Sequence, residues 1–352
     1  ESLYQMMALH FGVGSLGTLI SPIAPHVAFA LHLLAGGSYF LDSTKRAHVL
    51  RRLLPHRESH NVVATLPSDG EPALRIVFLA HLDAAFTGML FEPRTVERFE
   101  KLAPPHPLSF LRRGLALATY SQFALAGFDL LRMVLGPLTL PLRPLEHAIG
   151  VPGYIAFLSN LQVVLEDQVV PGANDDLTGV VALPVLAARL AEGKPPEVEL
   201  VFVATGCEEA GTGGALALAA RHAEDWDRGR TVIVGLDSLS NGELRFFDKE
   251  GEVGQRECAR WLITAAERVV DADPHYDEVR GFTIPVGGTD VGAFLARGYD
   301  GMCLGCIDPE IGSPRHYHLP EDTPENLDWD KLAFSIDFAD AFVREIWRAR
   351  LG

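Results

Sequence analysis

Between Ser2 and Leu41 the sequence has no aspartate, glutamate, lysine or arginine. That excludes a solvated surface segment. Pro22 and Pro25 divide the stretch into two apolar pieces, each close to the ~20 residues that cross a bilayer as a helix. Cysteine is scarce as well: four in 352 residues rule out a disulfide framework at this length. Cys303 and Cys306 make one CxxC, but the run from Met302 to Ile307 reads as a buried strand. A lone pair of this kind does not make a structural zinc site. Free thiols in a reducing compartment are the expectation. Basic residues are outnumbered, 30 against 46 acidic ones for a net charge of -16, which excludes the basic footprint of a nucleic-acid binder. Internal repeats and low-complexity tracts are absent. The glycine-rich run 211–214 has neither a Walker lysine nor a dinucleotide fingerprint. Ser238 and Ser313 lack a Gly-x-Ser-x-Gly context. Phosphate binding and serine hydrolysis drop out with them.

The charge that is present is unevenly placed. Residues 1–147 carry 13 basic and 11 acidic side chains, and the remainder carries 17 and 35. Lys45, Arg46, Arg51, Arg52 and Arg57 follow the first apolar block and favour the cytoplasmic side if that block is membranous. A second apolar region runs over 103–165, with Arg112, Arg113, Arg132 and Arg143 punctuating it. Both regions read as helical. A membrane surface, a hydrophobic lid and a homodimer interface are the three uses open to them. The expected organisation is an apolar helical region over 1–58 and a catalytic domain over 59–352, interrupted by the insertion 103–165.

Elsewhere strands alternate with helices. Val62–Thr65, Leu74–Ala80, Glu197–Ala204, Val232–Asp237, Leu244–Phe247 and Gly301–Ile307 read as strands. Helical patterns follow most of them, with Thr289 and Asp290 as an N-cap and Pro184 as a kink or a delayed start. This predicts an α/β fold with a mixed, mostly parallel central sheet flanked by helices. Polar residues recur at strand carboxyl ends, where ligands bind in open α/β sheets. His81 and Asp83 follow one strand, Glu208 and Glu209 another, and Asp237 a third. Adjacent carboxylates such as Glu208 and Glu209 either flank a cation or sit at a helix start favoured by its dipole. Together His81, Asp175, Glu209, Asp237 and His318 suffice for two metals if one carboxylate bridges. Nitrogen and oxygen donors fit zinc best, with manganese or cobalt as substitutes. Asp83, two residues after His81, is placed to accept its second ring proton.

Five motifs in order carry a resemblance. His81-x-Asp83, Asn174-Asp-Asp-Leu-Thr-Gly179, Glu208-Glu-Ala-Gly211, Leu236-Asp237 and the segment His318 to Asp328 resemble the M28 family of zinc metallopeptidases. That family includes dinuclear aminopeptidases, glutamate carboxypeptidases and glutaminyl cyclases. The resemblance covers roughly 59–100 and 166–350. It implies a zinc aminopeptidase-like fold in which Asp175 bridges two Zn(2+), one also held by His81 and Asp237, the other by Glu209 and His318. Glu208 matches the general base, and Asp290 stands beside the ligands. The long stretch from His81 to Asp175 and the N-terminal apolar block depart from the family pattern.

The implied activity is hydrolysis of amide bonds in a peptide, with aminopeptidase action first. A carboxypeptidase, or an amidohydrolase acting on an N-acyl amino acid or another apolar amide, is the alternative. A glutaminyl cyclase fits less well because the two-metal ligand set is complete. A non-catalytic scaffold is disfavoured on the same ground. The expected location is a membrane, with the catalytic domain on the cytoplasmic side; a soluble or extracytoplasmic enzyme is the alternative.

Overall fold

The computed structural model describes residues 2–102 and 109–352. Positions 103–108, the start of the expected insertion, lie outside the described residues. The chain forms two compact units, one from 1–57, 88–168 and 252–254 and the other from 58–87, 169–251 and 255–352.

The first unit is helical. It contains α1 (Leu3–Ile20), α2 (Pro25–Ser43), α3 (Pro93–Leu102), α4 (Ser109–Leu135) and α5 (Arg143–Glu166). Ser2 starts α1 with a capping box, its hydroxyl accepting from the Gln5 N–H while the Gln5 side chain takes the Ser2 N–H. Pro25 opens α2, where a missing N–H costs nothing. A 3-10 turn, Gly136–Leu142, joins α4 to α5, so the apolar region expected over 103–165 is not α-helical throughout. Met6, Phe11, Tyr39 and Ala118 pack in a small core. Tyr39 donates to Glu252 at 3.0 Å, which ties the 252–254 segment to this unit. Two stretches, Leu3–Ile20 and Leu111–Glu166, are long and apolar enough to cross a membrane; their apolar windows are 56% and 28% buried. The second value is low for the core helix of a soluble domain.

The second unit is a three-layer α/β structure. Its strands are β1 (Val62–Leu66), β2 (Leu74–His81), β3 (Val198–Thr205), β4 (Thr231–Leu236), β5 (Glu243–Glu250), β6 (Arg256–Glu257), β7 (Arg280–Thr283) and β8 (Asp300–Ile307). They pair in the order β1-β3-β2-β4-β8-β5-β6, with β7 on β5. Strands β3, β2, β4 and β8 are parallel, and β1 and β5 run antiparallel to β3 and β8. Helices α6 (Thr178–Ala191), α8 (Arg260–Ala272) and α10 (Trp329–Leu351) cover one face, and α7 (Gly213–Arg221) and α9 (Val291–Leu295) the other.

Strand β2 shows why the sequence folds this way. Leu74, Ile76, Phe78 and Ala80 point into one core while Val77 and Leu79 point into the other. A strand buried on both faces has to be apolar throughout, as parallel strands are. Cys303 and Cys306 fall on opposite faces of β8 for the same period-two reason, so they cannot share a metal. Burial raises both thiols, Cys306 to about 12. Helix α6 continues through Pro184 instead of starting after it.

Candidate metal centre

The parallel strands deliver the polar residues to one edge. His81 ends β2 and stands in register with Thr205, the last residue of β3, while Leu79 pairs with Gly235 of β4. The residues just beyond β3 and β4, namely Glu208, Glu209 and Asp237, therefore emerge beside His81. Asp175 lies in the turn before α6, and His318 in the loop between β8 and α10. Close packing at these turns demands glycine. A Cβ on Gly179 would come within 2.5 Å of Asp176 Oδ1 and the Leu236 carbonyl, and one on Gly214 within 2.3 Å of the Gly206 carbonyl. Cys207, Ser238 and His318 adopt left-handed backbone with φ of 52°, 59° and 57°. Such conformations persist only where the surroundings fix them, and they cluster at functional sites.

Donor atoms of His81, Asp175 and Asp237 all lie within 4.8 Å of one another. The same holds for Asp175, Glu209 and His318, and for His81, Glu208 and Glu209. Asp175 divides its carboxylate between the first two groups. Its Oδ1 is 3.1 Å from His81 Nε2, and its Oδ2 is 3.5 Å from His318 Nε2. His318 Nε2 is also 3.6 Å from Glu209 Oε1. Asp175 Oδ2 is buried without a hydrogen-bond partner, which is unusual for a native polar atom. Asp175 and Glu209 are buried, while Glu208 and Asp237 are half-buried.

Hydrogen bonds fix the ligand-bearing backbone. The ring proton of His81 goes to a different acceptor from the one expected: Nδ1 is 2.9 Å from the main-chain carbonyl of Asp83, and the Asp83 carboxylate stands off at 3.8 Å. That carboxylate instead accepts from the Glu208 and Glu209 N–H groups, both at 2.9 Å. Two converging amides hold a carboxylate more firmly than one ring nitrogen, so Asp83 positions both the pair and the imidazole. Asp176, joined to Asp175 by a cis peptide, accepts from the His81, Gly179 and Ser238 N–H groups at 3.0, 3.1 and 3.0 Å. Asp322 takes the Asn174 and Asp175 N–H groups at 2.8 and 3.1 Å. Sequence reasoning missed these roles, although the second Asp of Asn174-Asp-Asp and the Asp322-Thr323 pair were in view. Asp290 does not cap α9 through its side chain; Val291 N–H donates to Thr289 Oγ1 at 3.3 Å, and the Asp290 carboxylate accepts from Thr205 Oγ1. His316 is not among the grouped donors.

The electrostatics mark a centre built for cations. Burial and then the Asp175 charge push Asp237 up to about 6 and Glu209 well above the usual carboxylate range. Burial also raises Glu208, with Glu209 adding to it. Burial would lower His81, yet its hydrogen bond to Asp175 and the neighbouring carboxylates hold it well above an ordinary histidine. Asp175 is held low by the same pairing against its burial. Burial drops His318 to about 4, so it is a neutral donor. Among the described residues no lysine or arginine pairs with Asp175, Glu208, Glu209 or Asp237. Carboxylates and neutral imidazole at this spacing, with an orphaned Asp175 oxygen, fit zinc, and a bound divalent ion would reverse the mutual repulsion.

An α/β sheet with such a centre at its carboxyl edge is the frame of a metal-dependent hydrolase. The pattern of peptidase family M28 matches residues 160–343, more than half of the chain, and the chain belongs to that family of zinc metallopeptidases. No curated protein matches the sequence. Among solved structures, a zinc aminopeptidase from Bacillus subtilis is 18% identical with a TM-score of 0.48, over 81% of this chain and 50% of that one. A Bacteroides thetaiotaomicron glutaminyl cyclase is 15% identical with a TM-score of 0.48, over 80% of this chain and 76% of the other. LapB from Legionella pneumophila is 11% identical with a TM-score of 0.48, over 98% and 73%. The chain thus spans half the length of the Bacillus enzyme.

Proposed function

We propose that the chain hydrolyses peptide bonds with two zinc ions and removes amino-terminal residues. The observation that carries this reading is the division of Asp175: one oxygen faces His81 and the other His318, each within its own donor group. His81 and Asp237 would hold one ion, Glu209 and His318 the other, with Asp175 between them. Bound zinc supplies Lewis acidity, which acidifies water and polarises a carbonyl. Glu208 is half-buried beside this group with a raised carboxyl, which suits a base working near neutral pH. It takes the proton of the attacking water and returns it to the leaving amine. Asp83 holds the Glu208 N–H and, through its carbonyl, leaves Nε2 of His81 as the free donor atom. The nearby Asp83 and Asp290 favour a substrate's ammonium group over a carboxylate, which supports aminopeptidase over carboxypeptidase action. The apolar helical unit supports a location at a membrane and an apolar peptide or amide as substrate.

The test is turnover of aminoacyl, carboxyl-terminal and N-acyl amino acid substrates by the zinc-restored protein, with elemental analysis of the Asp175→Asn variant alongside. Aminoacyl turnover with two zinc per chain, and loss of both ions in the variant, is the expected result. Turnover confined to N-acyl amino acids would replace the aminopeptidase reading with the amidohydrolase one. Retention of both ions by Asp175→Asn would remove the bridge.

A further inference from the structure

The four long helices of the first unit form two hairpins whose turns lie at one end. His32 of α2 meets Asp129 of α4, and Gly36 faces Gln122, so these helices are antiparallel. Thr18 of α1 meets Arg143, and Gly12 faces Phe157, so α1 and α5 are antiparallel too. The turns at 20–25 and 136–142 therefore share an end. At the opposite end α1 and α4 begin and α2 and α5 finish.

The turn end is apolar on the outside and charged on the inside. Ile23, Val134 and Leu138 are 88%, 81% and 78% exposed. Asp129, Glu146 and Arg132 at the same level are buried. The buried charges are paired. Asp129 accepts from Ser21 Oγ and lies 2.7 Å from His32 Nδ1. Arg132 forks onto Glu146 at 3.2 and 2.7 Å, and Arg143 reaches the same carboxylate at 2.8 Å. Glu146 thus meets two guanidiniums, and Asp129 an imidazole and a hydroxyl. Among the described residues of 20–26 and 134–147, His26 is the only exposed titratable side chain. Backbone donors are managed as well. Prolines at 22, 25, 137 and 141 carry no N–H, and those of Ser21, Ile23 and Ala24 bond back to Gly17 and Ile20 carbonyls. At the opposite end Arg46, Arg52, Arg57 and Arg113 are exposed.

A water-facing bundle puts its charges outside. This one inverts that rule over helices of 18 and 19 residues, roughly 27 Å long, against a hydrocarbon core of about 30 Å. Internal pairing of charged groups, as at Asp129, Arg132 and Glu146, is what hydrocarbon imposes on a chain, and flanking cations suit anionic headgroups. We infer that the helical unit inserts into a lipid bilayer turn end first, its arginine-bearing end staying at the headgroups. This rests on the membrane location proposed above and specifies the surface and the mode: acyl chains surround Ile23, Val134 and Leu138, and attachment is integral, not peripheral.

The experiment is flotation of the full chain with vesicles of phosphatidylcholine and phosphatidylglycerol, before and after an alkaline carbonate wash. Wild type is expected to float and to resist the wash. The double variant Ile23→Asp, Leu138→Asp should lose carbonate-resistant binding by tenfold or more, since a buried charge in lipid is costly. Its peptidase turnover should be unchanged. Val62→Asp, at a 62% exposed site in the other unit, should bind as wild type does. Release of wild type by carbonate, or equal retention of the double variant, would overturn insertion while leaving a membrane location standing. A chain that never floats and purifies without detergent as a monodisperse dimer would overturn both.

Discussion

Both units bury carboxylates, and they treat them in opposite ways. In the helical unit Asp129 and Glu146 are matched by Arg132, Arg143 and His32 at hydrogen-bond distance, and the network closes on itself. In the second unit Asp175, Glu208, Glu209 and Asp237 converge with two imidazoles and, among the described residues, no lysine or arginine, and three of the four are pushed up in pKa. A closed network needs nothing from outside. An open one at such density repels itself until cations are added, so the same residue types mark a structural interior in one place and the proposed reaction centre in the other.

The sharpest way to break the open side is Glu208→Gln. It should lower kcat by about 10²–10⁴-fold with zinc content unchanged; steady-state kinetics and elemental analysis on one preparation check both halves. On the closed side, Arg132→Leu removes two of the three guanidinium hydrogen bonds to buried Glu146 and should cost about 3–5 kcal/mol, read from thermal unfolding in detergent or lipid. Adding Glu146→Leu should recover part of the loss, a coupling that an open network would not show. Asp83→Asn weakens the grip on the Glu208 and Glu209 amides and should cost roughly 10–100-fold in activity or zinc affinity; kinetics at saturating and limiting zinc separate the two.

The smallest effect is on the ion-free protein. Because the Glu209 carboxyl is raised in the fold, its ionised form costs stability as pH rises through that raised value. Glu209→Gln should therefore raise the Tm of the zinc-free chain at neutral pH by a few degrees, about 1 kcal/mol, and the gain should vanish at acid pH, where Glu209 is protonated in both states. With zinc present the sign reverses, because a ligand is gone. A zinc-free variant no more stable than wild type would remove the repulsion from the account.

Most of the centre was legible because strand ends are legible. An apolar period-two run that stops at a histidine or carboxylate places that side chain at the sheet edge, and parallel pairing brings the edges together. This is why His81, Glu208, Glu209 and Asp237 read as one site. What was not legible is which atom of a residue does the work. Asp83 follows His81 by two in either case; whether its carbonyl or its carboxylate meets the ring depends on the turn after β2. Asp176 and Asp322 act on backbone N–H groups of loops whose course no periodicity encodes. The Thr289 hydroxyl, and not the Asp290 carboxylate, meets α9 for the same reason. In the helical unit the apolar outside was visible as hydropathy, but the inward turn of Asp129, Arg132 and Glu146 was not. It depends on which face of α4 and α5 meets α1 and α2.

The bond from Asp322 to the Asp175 amide spans 147 positions in the chain, and His318 lies close to Asp322 in the same loop. On a ribosome the helices of the first unit are all made by residue 166, whereas the centre lacks both a donor and the clasp on Asp175 until residue 322 has emerged. Domains mature in order of synthesis, so, on the insertion proposed above, the growing chain would reach its lipid before it acquires the proposed hydrolytic site, and an unfinished copy would be an inert one.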